Sequence, residues 1–560
     1  MVHAVGTSQF EQAVERRRQL AGTTTGPGYL VKNLRVFGIA CFACIGGLLY
    51  GYNQGVFSGI LTMASFGNHM GVYITDTTKK GWLTSILELG AWFGTLYSGF
   101  LAEIISRKYA IIVNTVIFIV GVIVQCTAVS GGHSAILGGR FIVGMGVGSL
   151  SMIVPMYVAE CAPPEVRGLL VGLQQVAIEF GIMVSFWIDY GCNYIGGTGH
   201  GQSDAAWLVP LALQCGPALV LLVGMIFMPF SPRWLVHHDR EDEARRTLAL
   251  LRSLPADSEV VEMEFLEIKA QSLFEKRTNA ELFPHLADQT PMNIIKLQFV
   301  AIGSLFKTMP MFRRVIVATV TMFFQQWTGI NAILYYAPSI FQDLGQSSNT
   351  VSLLSTGVVG IVMFVATLPA VAYIDKLGRK PVLALGALAM GACHLTIAVI
   401  FAKNEDQWPT HKAAGWAAVA MVWLFVAHFG WSWGPCAWIV VAEVWPLSAR
   451  AYGIALGASS NWGQVTPDML SGMRWGTFLF FGIIIIIGAG FIWFFVPETK
   501  NLTLEEMDII FGSSSVAAAD QERMARINEE VGLTSKIFGG DAKQELPSDE
   551  KAPISTHHSE

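Results

Sequence analysis

The sequence predicts an all-α membrane protein of twelve transmembrane helices in two six-helix halves, with a cytosolic helical insert between the halves. Three observations predict it. The 560 residues are 52% hydrophobic and only 14% charged, with mean hydropathy +0.49, whereas soluble domains carry about a quarter charged residues. Twelve apolar stretches approach the roughly 20 residues that a helix needs to cross about 30 Å of hydrocarbon. Three charged motifs of the first half return in the same order in the second.

Residues 1–35 form a polar N-terminal tail, expected to be cytosolic. Its first thirty residues lack an apolar h-region, so the reading is that no signal peptide is cleaved and the first span is retained. The first half, 36–230, holds spans near 36–58, 82–102, 109–129, 135–157, 168–190 and 207–228. An insert follows at 231–312, where dense charge and the helical spacing of Ala244, Leu248 and Leu251 predict two or more short amphipathic helices. The second half, 313–511, holds spans near 314–342, 351–374, 381–401, 415–442, 451–470 and 476–496. The tail at 512–560 is polar and acidic without a core-forming pattern, and is expected to be disordered beyond a frayed helix.

Lys and Arg in the connections set the orientation. Arg16, Arg17, Arg18, Lys32 and Arg35 precede span one, and Arg107, Lys108, Arg167, Lys376, Arg379, Lys380 and Arg450 lie on that same side. Lys79, Lys80, Lys403, Lys412 and Arg474 are exceptions, but the excess places both termini in the cytosol of a multi-pass protein, with the plasma membrane expected.

The repeat matters more than the number of spans. Glu160 to Arg167 in ECAPPEVR returns as Glu443 to Arg450 in EVWPLSAR, AEIISRK (102–108) as IDKLGRK (374–380), and SPR (231–233) as PETK (497–500). Parallel six-span repeats are the plan of a transporter that rocks around a midplane site. Acids at one span end and bases at another can pair when the cytosolic side closes. The expected gate is Glu103, Arg107, Lys108, Glu160 and Arg167 with Asp375, Arg379, Lys380, Glu443 and Arg450. Read blandly, the same charges are anchors at the membrane surface.

A second feature is QQWTGINAILYY (325–336), a cluster of amides and tyrosines inside an apolar span. A ring edged with hydroxyls and faced with C–H groups needs donor–acceptor amides and aromatic surfaces. On a helix Gln325 and Gln326 fall about a turn from Asn331 and Tyr335, and Gly329 allows the span to bend. Polar groups in membrane helices also serve as glue between helices, the role expected for Gln174.

GGRFIVGMGVG (138–148), VPMYVAECAPPEVRG (154–168), QQWTGINAILYY, DKLGRK (375–380), WGPCAWIVVAEVWP (433–446) and PETKNLTLEE (497–506) together resemble the sugar porter family of the major facilitator superfamily, over about residues 35–510. SFWIDYG (185–191) and MPFSPRWL (228–235) are similar to fungal monosaccharide transporters. The resemblance implies the major facilitator fold and transport of a neutral hexose or pentose. It also implies sugar contacts from Gln175, Gln325, Gln326, Asn331 and Trp438, with Trp462 as a further aromatic and Tyr335 beside them. The expected partners are a small-molecule sugar and the lipid bilayer, without nucleic acid, cofactor or metal, and with a monomer as the functional unit.

Asn53 stands where proton-coupled relatives generally have an aspartate beside the arginine that corresponds to Arg140. Asparagine does not titrate, so facilitated diffusion is the expected mode. Glu88 and Glu179, both inside spans, keep proton symport open, and a non-transporting sugar sensor is the other alternative. The chain departs from the family at AEIISRK, which suggests a thinner gate; at Met363 and Gly430, where relatives carry polar residues; and after Trp462, where span eleven is short. Eight scattered cysteines, including Cys41 and Cys44, read as packing residues, His428 as a hydrogen-bonding one, and GMGVG (144–148) as small residues that let helices approach. A polytopic enzyme would need convergent acids, a metal set or an activated nucleophile, and the sequence offers none.

Overall fold

The computed structural model describes residues 34–163, 166–199, 201–286, 290–345, 349–405, 407–445, 466–500, 507, 510–512 and 514–538. All regular structure among them is helical. The first half contains α1 (Leu34–Ile60), α2 (Thr77–Ile105), α3 (Arg107–Cys126), α4 (Ala128–Cys161), α5 (Arg167–Cys192) and α6 (Ala205–Phe227). The linker contains α7 (Pro232–His237), α8 (Glu241–Arg252), α9 (Glu259–Leu282) and α10 (Pro291–Ser304). The second half contains α11 (Met309–Gln326), α12 (Ile330–Asp343), α13 (Asn349–Leu377), α14 (Arg379–Asn404), α15 (Lys412–Glu443), α16 (Thr466–Met473) and α17 (Trp475–Phe495). Two further helices follow, α18 (Ser514–Glu530) and α19 (Leu533–Phe538).

Among the described residues nine helices are long and apolar enough to cross a membrane: α1, α3 to α6, α13, α14, α15 and α17. The pair of α10 with α11–α12, bent by 98° at its break, brings the count to as many as ten, and the 29-residue α2, diluted by Lys79, Lys80, Glu88 and Glu103, is not among them. Of the predicted eleventh span, 451–465 lie outside the described residues. Its end, α16, is helical through Met473, and Arg474 at φ 48° turns the chain into α17. Large apolar side chains such as Phe227 (80% exposed) and Phe494 (79%) face outward, as a bilayer-facing surface demands.

Between apolar helices in lipid, close backbone contact replaces the hydrophobic drive, and small residues permit it. Gly90 and Gly94 of α2 meet Phe141 and Met145 of α4, while Gly144 and Gly148 of α4 meet Leu87 and Ala91 of α2; a Cβ at any of the four would collide with backbone. Gly51 and Gly181 do the same for α1 and α5. Gly144→Val is therefore expected to wedge α2 from α4 and cost about 1–3 kcal/mol. A parent-like thermal unfolding curve of the detergent-purified variant would contradict this.

Arg35 at the start of α1 donates to the Leu250 carbonyl of α8, and Trp234 of α7 donates to the Glu103 carbonyl at the end of α2. These bonds define a linker side, and the opposite ends of the spans a far side. Ala244, Leu248 and Leu251 are fully buried, as their spacing predicts.

The tail departs from its expectation. Residues 514–538 are helical and docked: Ile527 packs with Ala270 and Phe274 of α9, and Leu533 and Ile537 enter the core formed by Trp234, Leu235, Leu248, Val261 and Phe265. Arg277 grips Glu530 with two bonds of 2.7 Å, and Arg523 pairs with Glu281. Four apolar residues, Ile527, Val531, Leu533 and Ile537, spread over eleven positions make no core alone. The linker supplies the other half of that core, which no local pattern displays. Residues 539–560 lie outside the described residues.

Candidate functional site

Span seven is broken where its polar residues cluster. Trp327 and Thr328 leave the helix, and Gly329 restarts it at φ 87°, a left-handed conformation that glycine adopts without strain. His394 of α14 donates from Nε2 to the freed Thr328 carbonyl at 2.8 Å, and a Cβ on Gly329 would press on Phe481 and His394. Facing this break, α15 loses helical geometry at Ser432 (φ −122°, ψ −85°). Gln325 bridges the two breaks, donating from Nε2 to the Trp433 carbonyl at 2.9 Å.

The amides are brought together. Asn331 donates from Nδ2 to Gln326 Oε1 at 2.6 Å, and Gln326 donates in turn to Gln325 Oε1 at 3.3 Å. Trp438 on α15 is 38% exposed. Gln175 on α5 donates to Glu179, one turn away on its own helix, at 2.6 Å. Gln174 is buried with its carboxamide against Gly47 and has no hydrogen-bond partner among the described residues, so it packs helices without the bond expected of it. Trp462 lies outside the described residues. Met363 is buried, and the carbonyls of Met363 and Gly430 both accept the Thr367 hydroxyl. His428 accepts the Trp431 indole N–H at 3.0 Å. Among the described residues no three His, Cys, Asp or Glu side chains converge as a metal site requires.

Tyr335 turns away from the amides. Its hydroxyl donates to Glu88 Oε1 of α2 at 2.6 Å, with both residues buried. Sequence reading names both residues but not their pairing, because 247 positions separate them. Beside it Thr84 bonds Tyr336, and Lys80 donates to Ser339 at 3.4 Å. Thr77 and Thr78 donate to Asp468 of α16 at 2.8 and 3.0 Å. These bonds run from the first half to the second at the far side.

Asn53 donates to the Leu49 carbonyl of its own helix at 3.0 Å, and its Oδ1 has no hydrogen-bond partner among the described residues. Arg140 is fully buried, lies 3.8 Å over the Phe57 ring and donates from Nη2 to the Thr84 carbonyl at 3.1 Å. Its Nε and Nη1 have no hydrogen-bond partner among the described residues.

On the linker side the charged repeats build the same network twice. Arg107 pairs with Glu160 at 3.1 Å, and Glu160 accepts the Ser231 hydroxyl. In the second half Arg379 pairs with Glu443 at 2.9 Å, and Glu443 accepts the Thr499 hydroxyl at 2.5 Å. The motif position Ser106 takes φ 90°, ψ 155°, and its counterpart Gly378 takes φ 85°, ψ 144°. Serine in a glycine conformation is strained; its hydroxyl repays part of that cost by accepting the Tyr109 N–H. At this corner Glu103 pairs with Arg107 at 2.8 Å and lies 3.4 Å from His237. Burial pushes the His237 imidazole below its ordinary pKa despite Glu103, which favours a neutral ring.

Lys108 donates to the Ile226 carbonyl, Lys380 lies 5.5 Å over the Trp493 ring, and Arg167 opens α5. Glu498 accepts the backbone N–H groups of Arg379 and Lys380. The ion pairs of Arg107 and Arg379 thus run within each half. Asp375 lies on α13, its side chain outside the described residues, as is the whole of Arg450.

The family described as Sugar (and other) transporter matches residues 39–511. A probable quinate permease of Aspergillus fumigatus is 31% identical over 515 residues, covering 89% of this chain and 92% of its own. An MFS-type transporter, qa-x, of Neurospora crassa is 30% identical over 518 residues with the same coverage. Among solved structures, the inward-open xylose transporter XylE from E. coli superposes with a TM-score of 0.66 at 25% identity, covering 85% of this chain and 99% of that one. The proton:xylose symporter XylE bound to 6-bromo-6-deoxy-D-glucose superposes with a TM-score of 0.66 at 26% identity and the same coverage.

Proposed function

We propose, on the premise that the chain belongs to the sugar transporter family, that it carries a neutral hexose or pentose across the plasma membrane by alternating access and facilitated diffusion. It is a transporter and not an enzyme. The observation that carries the substrate class is the amide relay Gln325–Gln326–Asn331 at the facing breaks of α11–α12 and α15. Breaks free backbone groups at midplane depth, where membrane transporters place their ligands. Gln175, Trp438 and Trp462 complete the proposed site, with Tyr335 above it. The linker side is the cytosolic side in this reading, the twin Arg–Glu–hydroxyl networks are its gate, and one chain is the working unit.

Asn53, with its amide bonded to its own helix, supports uncoupled transport. A second substrate reading has its own support. The curated relatives include permeases of quinate, a ring that carries both hydroxyls and a carboxylate, and Arg140 Nε and Nη1 have no hydrogen-bond partner among the described residues.

The test is uptake of labelled sugars into liposomes carrying the purified protein, with and without an inward proton gradient. D-Glucose, D-xylose or D-galactose is expected to equilibrate faster than its L-form and not to accumulate above the outside concentration. Equal rates for all D- and L-pairs overturn the monosaccharide reading. Accumulation driven by the gradient overturns facilitated diffusion, and saturable quinate uptake supports the second substrate.

A further inference from the structure

Three bonds among the described residues run from α2 to α12: Lys80–Ser339, Thr84–Tyr336 and Glu88–Tyr335. In the third the acceptor is a carboxylate, which a proton can occupy. Under the alternating-access reading α2 and α12 belong to halves that part when the far side opens, so the bond exists in one state and is broken in the other. The groups that face Glu88 are Tyr335 from α12, Arg140 from α4 and Gln54 from α1; behind them Tyr336 lies near Arg140, and Tyr50 accepts from Gln54. Glu179 differs, because its bond to Gln175 lies within α5 and joins nothing across the halves.

We propose that Glu88 is a proton-responsive latch on the far-side gate: ionised, it grips the Tyr335 hydroxyl and holds α12 against α2, and protonated, it releases α12 to open. A hydrogen bond to a charged acceptor is roughly twice as strong as one between neutral groups. A proton taken from far-side water onto the carboxylate removes that advantage, and it returns to water when the ionised bond re-forms. Glu88 thereby acts as a positioning residue, setting the balance between the two facing states without touching the transported molecule. The proposal rests on the alternating-access reading but concerns the gate alone.

The test is hydrogen–deuterium exchange of the full-length protein in liposomes at about pH 7.5 and about pH 5.5, corrected for the intrinsic pH dependence of amide exchange. In the parent, peptides from 77–88 and 330–343 are expected to exchange about fivefold faster at the lower pH. Glu88→Gln is expected to show the faster rate at both values, with no pH response. Tyr335→Phe removes the bond while keeping the carboxylate, and is expected to behave likewise; it also carries the test if Glu88→Gln does not fold. A pH response in either variant equal to the parent's overturns the latch, as does its absence in the parent. Failure of the transport reading is separate: the liposomes would take up no sugar stereoselectively at either pH while the exchange pattern stood.

Discussion

Arg252→Ala is expected to destabilise the linker by about 3–5 kcal/mol, the cost of leaving a buried charge without its partner. Arg252 donates from Nε and Nη2 to the two oxygens of Glu264 at 2.8 and 2.5 Å, and the side chains are only 4% and 5% exposed. The third arm of the guanidinium donates to the carbonyl of Cys161, the last residue of α4, at 3.0 Å. The pair therefore joins α8 to α9 and fastens both to a membrane span. Losing it takes the guanidinium from a buried carboxylate and removes one of the bonds between the end of α4 and the linker. Thermal unfolding together with hydrogen exchange over 241–264 checks this, and exchange unchanged in Arg252→Ala would contradict it. Because a buried ion pair adds little over well-packed apolar groups, the double variant Arg252→Met with Glu264→Leu is expected to regain most of the loss.

Gln326→Ala is expected to raise the half-saturation concentration for sugar uptake by about tenfold to a hundredfold, the equivalent of about 1–3 kcal/mol of lost hydrogen bonding. Gln326 sits in the middle of the relay: it accepts from Asn331 and donates to Gln325, so its removal also leaves the Asn331 amide without that acceptor. The neighbouring Gln325→Ala should behave differently. Gln325 ties α11 to the Trp433 carbonyl of α15, and its loss is expected to lower thermal stability as well as affinity. Concentration-dependent uptake into liposomes, read beside melting curves, separates the two. An unchanged half-saturation concentration in Gln326→Ala would remove that residue from the proposed site.

Several parts of the molecule are legible before any folding is considered. The echoed motifs carry Arg107, Glu160, Arg379 and Glu443, which pair on the linker side, whereas the hydroxyls of Ser231 and Thr499 that join them emerge only from the structure. Motifs can carry such pairs because each lies at a helix end, where a few consecutive residues meet the membrane surface. The break at Gly329 is legible for a similar reason: a glycine between amides in an apolar span leaves backbone groups that must be satisfied within the protein. Ala244, Leu248 and Leu251 mark a buried face because a helix brings residues three and four apart to one side.

Other parts depend on partners distant in the chain. Ile527, Leu533 and Ile537 look like stray apolar residues in an acidic tail until α9 and α7 supply the surface they cover. Glu88 reads as an intramembrane acid that keeps proton symport open, and only the approach of α12 gives it Tyr335.

The sequence by itself determined the membrane environment, the helical class, the duplicated plan and the identity of the polar residues inside the spans. Hydrophobicity, helical periodicity and local motifs act over a few turns, so a reader of the chain sees them directly. Only the tertiary structure decided that Gln325 answers to the Trp433 carbonyl, that Arg140 lies over the Phe57 ring, and that Glu88 holds Tyr335 across the far-side seam. These contacts join residues on different helices, which come together through tertiary packing such as the glycine-lined contacts of α2 with α4 and α1 with α5.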